Sequence, residues 1–123
     1  MSEGNPDHAE LPAEERARLG ELLLGAAYGR NIGLVRKLAQ QGAPVDAKDA
    51  ETGLTALHIA IGTNNLALVK YLIEECGTPF TADGRGRMPS ALAAECRASD
   101  ELSDYVCDKE AAAEAEHPGQ SKN

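Results

Sequence analysis

The chain has 123 residues, which is enough for one domain with one hydrophobic core. Apolar residues make up 42% of it but aromatic residues only 3%, so we expect a core of Leu, Ile, Val and Ala in closely packed helices rather than strands. The net charge of −8 disfavours nucleic acid and anionic membrane surfaces as partners; it permits a basic protein, although an acidic surface that keeps the chain soluble is the simpler interpretation.

Neither end of the chain predicts a packed element or a membrane segment. The first ten residues are polar and contain no run typical of a signal peptide, and no stretch approaches 18 apolar residues. We expect residues 1–10 and 117–123 to be flexible tails. The three cysteines cannot all pair within the chain and none lies in a CxxC pair. We therefore expect reduced, mostly buried thiols in a cytoplasmic protein, at Cys76, Cys96 and Cys107.

Sliding the chain against itself shows a repeat. Shifts of 34 and 33 residues superimpose apolar and glycine positions: Leu23 on Leu57, Leu38 on Leu72, Gly53 on Gly86, and Val69 on Leu102. We expect one domain over residues 11–116, made of three units at about 11–48, 49–82 and 83–116. The residue pattern of each unit predicts two short helices and an extended loop.

The first unit predicts a long first helix. Pro12 fits an early helical position, and Glu14 and Glu15 favour the helix N-terminus. The expected buried stripe is Leu19, Leu22, Leu23 and Ala26. The charged opposite face suits a terminal unit that shows one side to water.

The middle unit predicts a first helix from Ala56 to about Thr63, a turn at Asn64-Asn65, and a second helix over about 66–75 that ends at Gly77. The second helix places its apolar residues on one face: Leu68, Val69, Leu72 and Ile73. The last unit ends in an Ala- and Glu-rich stretch that predicts a helix reaching about residue 116.

The middle unit resembles an ankyrin repeat. Its stretch Gly53-x-Thr55-Ala56-Leu57-His58-x-Ala60 is similar to the family's G-x-T-P-L-H-x-A, and the resemblance extends over about residues 19–108. It implies an all-α fold, an ankyrin-repeat solenoid of stacked helix-turn-helix units with short hairpin loops.

The chain departs from the family pattern at several places. The matching stretch of the third unit, residues 86–93, lacks both the Thr and the His. The middle unit has one extra residue in its hairpin loop and another near Cys76. The glycine common at the turn between the two helices is replaced in all three units, by Arg30, Asn64 and Arg97.

Thr55 and His58 permit two interpretations. They could form a buried catalytic or metal-binding pair, or they could make structural hydrogen bonds at a helix start, with Thr55 as the cap and His58 reaching back to the turn. We expect the structural role. A serine with His58 lacks the G-x-S-x-G context, and a reactive Cys96 is a weaker interpretation than a small helix residue. The sequence therefore predicts no catalytic residue, no cofactor and no metal.

The resemblance implies binding of another protein through the hairpin tips and the concave face of the first helices. Carried over by register, the candidate contact residues are Tyr28, Glu51, Thr52, Leu54, Thr63, Arg85, Arg87 and Glu95. Tyr and Arg are enriched among interface hot spots, and we expect Leu54 to be an exposed apolar residue. The expected function is a monomeric, non-enzymatic adaptor or regulator. The alternative is an inhibitor or immunity-type protein that occludes an enzyme, which its acidity would suit if that target were basic.

Overall fold

The computed structural model describes residues 12–116, and within them the chain is helical, with no strand. The expected tails, 1–10 and 117–123, lie outside the described residues, as does Leu11. Six helices follow in order: α1 (Ala13–Tyr28), α2 (Ile32–Gln40), α3 (Ala56–Gly62), α4 (Leu66–Lys70), α5 (Pro89–Glu95) and α6 (Asp100–Glu116). The predicted all-α fold is confirmed.

The helices stack as three pairs. Within the units α1 packs on α2, α3 on α4, and α5 on α6, while α3 lies between α1 and α5. The core runs through the stack and draws buried apolar side chains from every helix, among them Leu23, Val35, Leu57, Leu72, Leu92 and Val106. Leu, Ile, Val and Ala dominate it, as the composition predicts.

The second helix of each unit starts at a side-chain cap. Asn31 and Asn65 accept the backbone N–H groups of Leu34 and Leu68, at 3.1 and 3.3 Å. In the third unit the capping residue is Ser99, whose hydroxyl accepts the N–H of Leu102 at 3.2 Å.

These caps correct the register of the last helix. Successive capping residues are 34 positions apart in both cases. Leu102 therefore corresponds to Leu68, and not to Val69 as the sequence predicted. The shift of 33 holds for α3 and α5 but is wrong by one residue for α6, because the turn before α6 contains one more residue.

The extra residue near Cys76 is absorbed as a π-helical turn. After α4 the chain continues in π-helical form over Tyr71–Glu75, and the N–H of Cys76 donates to the carbonyl of Tyr71 at 3.2 Å. An inserted residue in an α-helix is commonly accommodated in this way. The insertion therefore leaves Leu72 in the core, with its side chain fully buried.

Three expectations are wrong at the ends of the stack. Leu22 is 51% exposed, and Leu24 is buried on that helix instead, because no unit precedes the first one within the described residues. Cys96 and Cys107 are exposed rather than buried, and Cys76 is half-buried. Pro12 precedes α1 in an extended conformation, with φ −60° and ψ 155°, instead of occupying its first turn.

Candidate partner-binding surface

An aspartate organises the first hairpin tip, residues 49–54. One carboxylate oxygen of Asp49 accepts the N–H of Glu51 at 3.1 Å, and the other accepts the hydroxyl of Thr52 at 3.0 Å. The N–H of Leu54 donates to the Thr52 hydroxyl at 3.2 Å. The Thr52 hydroxyl is therefore engaged within the tip, while Glu51 projects into solvent.

Asp83 organises the second tip, residues 83–87, in the same way. One oxygen of its carboxylate accepts the N–H groups of Arg85 and Arg87, both at 2.9 Å. The other accepts Nε of Arg87 at 2.9 Å, and the Asp83 side chain is only 1% exposed. Burial alone would raise the pKa of Asp83, but the hydrogen bonds and the Arg87 charge outweigh it and lower the pKa.

Arg87 is held in place on both sides. Its guanidinium lies 2.8 Å from Asp83 and 2.9 Å from Glu95 of α5, and its side chain is 25% exposed. Hydrogen bonds to Glu95 and Asp83 raise its pKa. Arg87 therefore fastens the tip to α5, and Arg85 is the arginine of this tip that extends into solvent.

The two tips touch through their backbones. A Cβ added to Gly84 would lie 2.2 Å from the carbonyl oxygen of Thr52, and one added to Gly53 would lie 2.8 Å from the Cα of Gly84. Only glycine fits this approach. The contact sets the spacing between the tips and hence the shape of the surface that they present.

Two open grooves border the tips. One, of about 490 Å³, lies between α1 and the first hairpin, with Tyr28 and Gly25 on the helix side and Lys48 on the loop side. The other, of about 710 Å³, lies between the two tips and includes Glu51 and Arg85. Ala47 and Lys48, which line the first groove, were not among the contact residues predicted from the sequence, because they precede the tip.

Some of the candidate contact residues are exposed, and others are half-buried. Tyr28, Glu51, Thr52 and Arg85 are exposed along these grooves, and Glu95 is exposed although it pairs with Arg87. Leu54 was expected to be exposed, but it is half-buried and packs against the core. Thr63 is half-buried, and its hydroxyl donates back to the carbonyl of Ile59 at 2.9 Å, so it follows α3 as a capping residue.

Thr55 and His58 form a reciprocal cap at the start of α3. The N–H of His58 donates to the Thr55 hydroxyl at 3.4 Å, and the N–H of Thr55 donates to Nδ1 of His58 at 3.0 Å. Because Nδ1 accepts, the proton of the neutral ring sits on Nε2, which donates to the carbonyl of Thr81 at 2.8 Å. His58 thereby ties α3 to the loop that leads into the second tip.

This geometry leaves His58 without a free nitrogen. The side chain is buried, and desolvation lowers its pKa despite the favourable contact with Thr81. A histidine whose two nitrogens are both bound to the backbone has no nitrogen left for a metal or a substrate. The structural interpretation of the Thr55–His58 pair fits these contacts.

The third unit replaces the missing cap with a residue from another helix. The carboxylate of Glu110, on α6, accepts the N–H of Ser90 at 3.0 Å and its hydroxyl at 2.9 Å. Ser90 lies in the first turn of α5, where backbone N–H groups lack helical partners. The long last helix therefore completes the unit that lost both Thr and His.

Each turn between paired helices contains a residue other than glycine with a positive φ. Arg30, Asn64 and Arg97 have φ of 59°, 56° and 57°, a region that favours glycine. The Arg30 guanidinium donates to the carbonyl of Thr63, and Asn64 accepts the N–H of Ser99 at 2.9 Å. The first two of these side chains link each turn to the next unit, a role that the sequence signalled only by the missing glycines.

Other kinds of site find no support between residues 12 and 116. That segment contains no group of three or more His, Cys, Asp or Glu side chains that could hold a metal ion. None of its helices is long and apolar enough to cross a bilayer.

Known proteins share this pattern. Residues 22–116 match the family model described as ankyrin repeats in three copies. The chain is 37% identical over 68 residues to the mitochondrial liver isoform of glutaminase from Rattus norvegicus, a match covering 54% of the chain and 11% of that protein. It is 42% identical over 62 residues to the human ankyrin repeat domain-containing protein 63, covering 50% and 16%.

A further relative is the NF-kappa-B inhibitor cactus of Drosophila yakuba, 38% identical over 71 residues, covering 55% of the chain and 14% of that protein. The chain thus spans between a tenth and a sixth of the length of these relatives. Ankyrin repeats are protein–protein interaction modules, and the family is typically non-enzymatic. Since the family model covers most of a chain whose helices stack in three pairs, the chain belongs to the ankyrin-repeat family.

Proposed function

We propose that the chain is a non-enzymatic adaptor or regulator that binds a partner protein through its hairpin tips and the concave side formed by α1, α3 and α5. The observation that carries the proposal is the pair of grooves along the tips, with exposed Tyr28 and Arg85 at their edges. Tyr and Arg contribute much of the binding energy of many interfaces.

The internal contacts refine the proposed contact set. Tyr28, Glu51 and Arg85 are proposed as direct contacts, because their side chains reach solvent along the grooves. Thr52 is proposed as a direct contact through its exposed surface other than the hydroxyl, which is engaged within the tip. Arg87, Glu95, Leu54 and Thr63 are proposed to act by holding the surface in shape, since each is engaged within the chain.

The test is an affinity pull-down with the tagged protein beside a Tyr28→Ala/Arg85→Glu variant. Lys109→Glu, a charge reversal at an exposed residue of α6, is the matched control. We expect the double variant to lose the partner while the control keeps it, with unchanged circular dichroism for both. Equal recovery of the same partner by all three proteins would remove the grooves from consideration.

An inhibitor is the second candidate. The relative named as an NF-kappa-B inhibitor and the net charge of −8 support it, and a basic target enzyme would suit that charge. The discriminating measurement adds the protein at increasing stoichiometry to the captured partner. Loss of the partner's own activity at one equivalent favours an inhibitor, and unchanged activity favours an adaptor.

Two further expectations belong to the proposal. The unit boundaries at about 11–48, 49–82 and 83–116 and a cytoplasmic location are both proposed. The bound state of His58 supports the absence of catalysis by this residue. Turnover by the purified protein would contradict that part of the proposal.

A further inference from the structure

The first unit exposes apolar positions that the other units bury. Leu22 and Leu34 are 51% and 39% exposed. The residues equivalent to Leu22 are Ala56 and Pro89, and both are buried. The residues equivalent to Leu34 are Leu68 and Leu102, and both are buried as well. We call this exposed side of the first unit, with Leu22, Leu34 and Lys37, the front end.

The last unit exposes the complementary positions. Ala91 and Ala94 of α5 are exposed, whereas the equivalent residues of the first two units are buried. Ala91 corresponds to Leu24 and His58, and Ala94 corresponds to Ala27 and Ile61. On α6, half-buried Ser103 takes the position of buried Val35 and Val69. We call this side, with Ala91, Ala94, Ser103 and Asp104, the rear end. Small residues at the rear leave room for the larger Leu22 at the front.

Between successive units, one contact repeats with a period of 34. The Arg36 guanidinium lies 4.6 Å from the ring centre of Tyr71, and the Lys70 ammonium lies 5.5 Å from that of Tyr105. Continuing the series by 34 places Asp104 at the position of Arg36 and Lys70. At the front end, the position of Tyr71 and Tyr105 is occupied by Lys37.

A rear end brought against a front end would therefore place Asp104 opposite Lys37, an acid opposite a base. Both side chains are exposed. The charges of the two terminal units are also complementary. Residues 12–48 contain six basic residues (Lys and Arg) and four acidic residues (Asp and Glu), whereas residues 83–116 contain four basic and nine acidic residues.

We infer that the front end is a docking surface for the rear end of a second copy, so that the stack of units continues from one chain into the next. Leu22 and Leu34 are covered by Ala91, Ala94 and Ser103 of the other copy, and Lys37 pairs with its Asp104. Such an interface joins unlike surfaces, so it leaves a front and a rear end free and permits open chains. None of the named front-end and rear-end residues lines either of the proposed partner-binding grooves, so the inference does not depend on those grooves.

The test measures molar mass by light scattering across a series of protein concentrations, with the full chain at physiological salt. The wild-type mass is expected to rise with concentration, and the rise to weaken with added salt. Lys37→Asp and Asp104→Lys are each expected to weaken self-association at least about tenfold, since each places like charges together. The double variant Lys37→Asp/Asp104→Lys should restore self-association, because an acid then again lies opposite a base, with the two charges exchanged.

Controls separate this interface from others. Asp46→Lys reverses an exposed acid in a loop and should leave the mass unchanged. Leu34→Glu, which blocks the front end, and Ala94→Glu, which blocks the rear, should each be monomeric alone and form a one-to-one dimer when mixed. A wild-type protein with the mass of one chain at every concentration would overturn the inference and support the monomer expected from the sequence. The inference would also be overturned if the wild-type protein self-associates but the charge-exchanged double variant does not.

Discussion

At the scale of single residues, the polar side chains of this protein satisfy backbone groups. Asp49 and Asp83 each hold a hairpin tip, and His58 joins a helix start to the following loop. A buried polar group costs stability when it loses its partner, so these residues stabilise the shape of the proposed binding surface.

His58 makes the stability depend on pH. Burial lowers its pKa in the folded protein below the ordinary value of 6.5, so the unfolded chain takes up a proton first as the pH falls. The part of the stability that depends on His58 should be fully present well above pH 6.5, and it should be lost progressively as the pH falls through 6.5 to the lowered pKa. Urea unfolding at several pH values measures this decline.

The variant His58→Gln checks the assignment. It should lower the free energy of unfolding by about 1–3 kcal/mol at neutral pH and flatten the dependence below pH 6.5. The variant His8→Gln/His117→Gln changes the other two histidines and should keep the dependence. If His58→Gln retains the wild-type pH profile and stability, the structural role of this histidine is wrong.

Glu110 supplies the cap that the third unit lacks. Glu110→Ala removes the acceptor for two groups of Ser90 and should lower the free energy of unfolding by about 0.5–2 kcal/mol, the usual value of a helix cap. The control is Glu114→Ala, an exposed position one turn further along α6, which should change it by less than about 0.5 kcal/mol. Equal effects of the two changes would show that the Ser90 contact contributes nothing to stability.

At the scale of the elements, two glycines should respond in opposite directions. Gly25 lies inside α1, and a Cβ there meets no atom within 4 Å, so Gly25→Ala should stabilise the protein by about 0.5–1 kcal/mol. Gly84→Ala forces a Cβ against the Thr52 carbonyl and should destabilise it by about 1–3 kcal/mol. Thermal unfolding of both variants measures the two signs, and a stable Gly84→Ala protein would contradict the tip-to-tip contact.

The elements differ in how far the sequence predicts them. Helix positions follow from local signals, such as the caps at Asn31 and Asn65 and the apolar face of α4, so they were predictable. The π-helical turn was not, because an extra residue can be absorbed in a helix or in a loop. The one-residue register error in α6 has the same origin, since a repeat shift does not show whether an extra residue lies in the turn or in the helix. The cap at Ser99 places it in the turn.

The contact surface was harder to predict than the fold. Register placed Arg85 and Arg87 together on one tip, but only the structure shows that Asp83 and Glu95 bind Arg87. Those contacts join residues four and eight positions apart and depend on the shape of the tip. Leu54 is half-buried because the hairpin folds back onto the core, a tertiary effect that a loop position does not reveal.

At the scale of the whole molecule, stability depends on contacts between neighbouring units. Leu72 lies in the middle unit with its side chain fully buried, so Leu72→Ala should cost about 2–5 kcal/mol through the cavity that it leaves. Leu22→Ala, at the exposed front end, should cost less than about 0.5 kcal/mol in the monomer, because no residue of the same chain between 12 and 116 covers it. Urea unfolding at a protein concentration low enough to keep the chain monomeric compares the two variants, and a large loss in Leu22→Ala there would show that this side chain is covered within its own chain.

The proposed partner protein binds along the hairpin tips and the concave side, so it should protect backbone amides there. Hydrogen exchange of the backbone amides, measured on the protein alone and in complex with the captured partner, tests this. Binding should slow exchange at residues 47–54 and 83–87. Slowed exchange confined to α2, α4 and α6, with the tips unchanged, would contradict it.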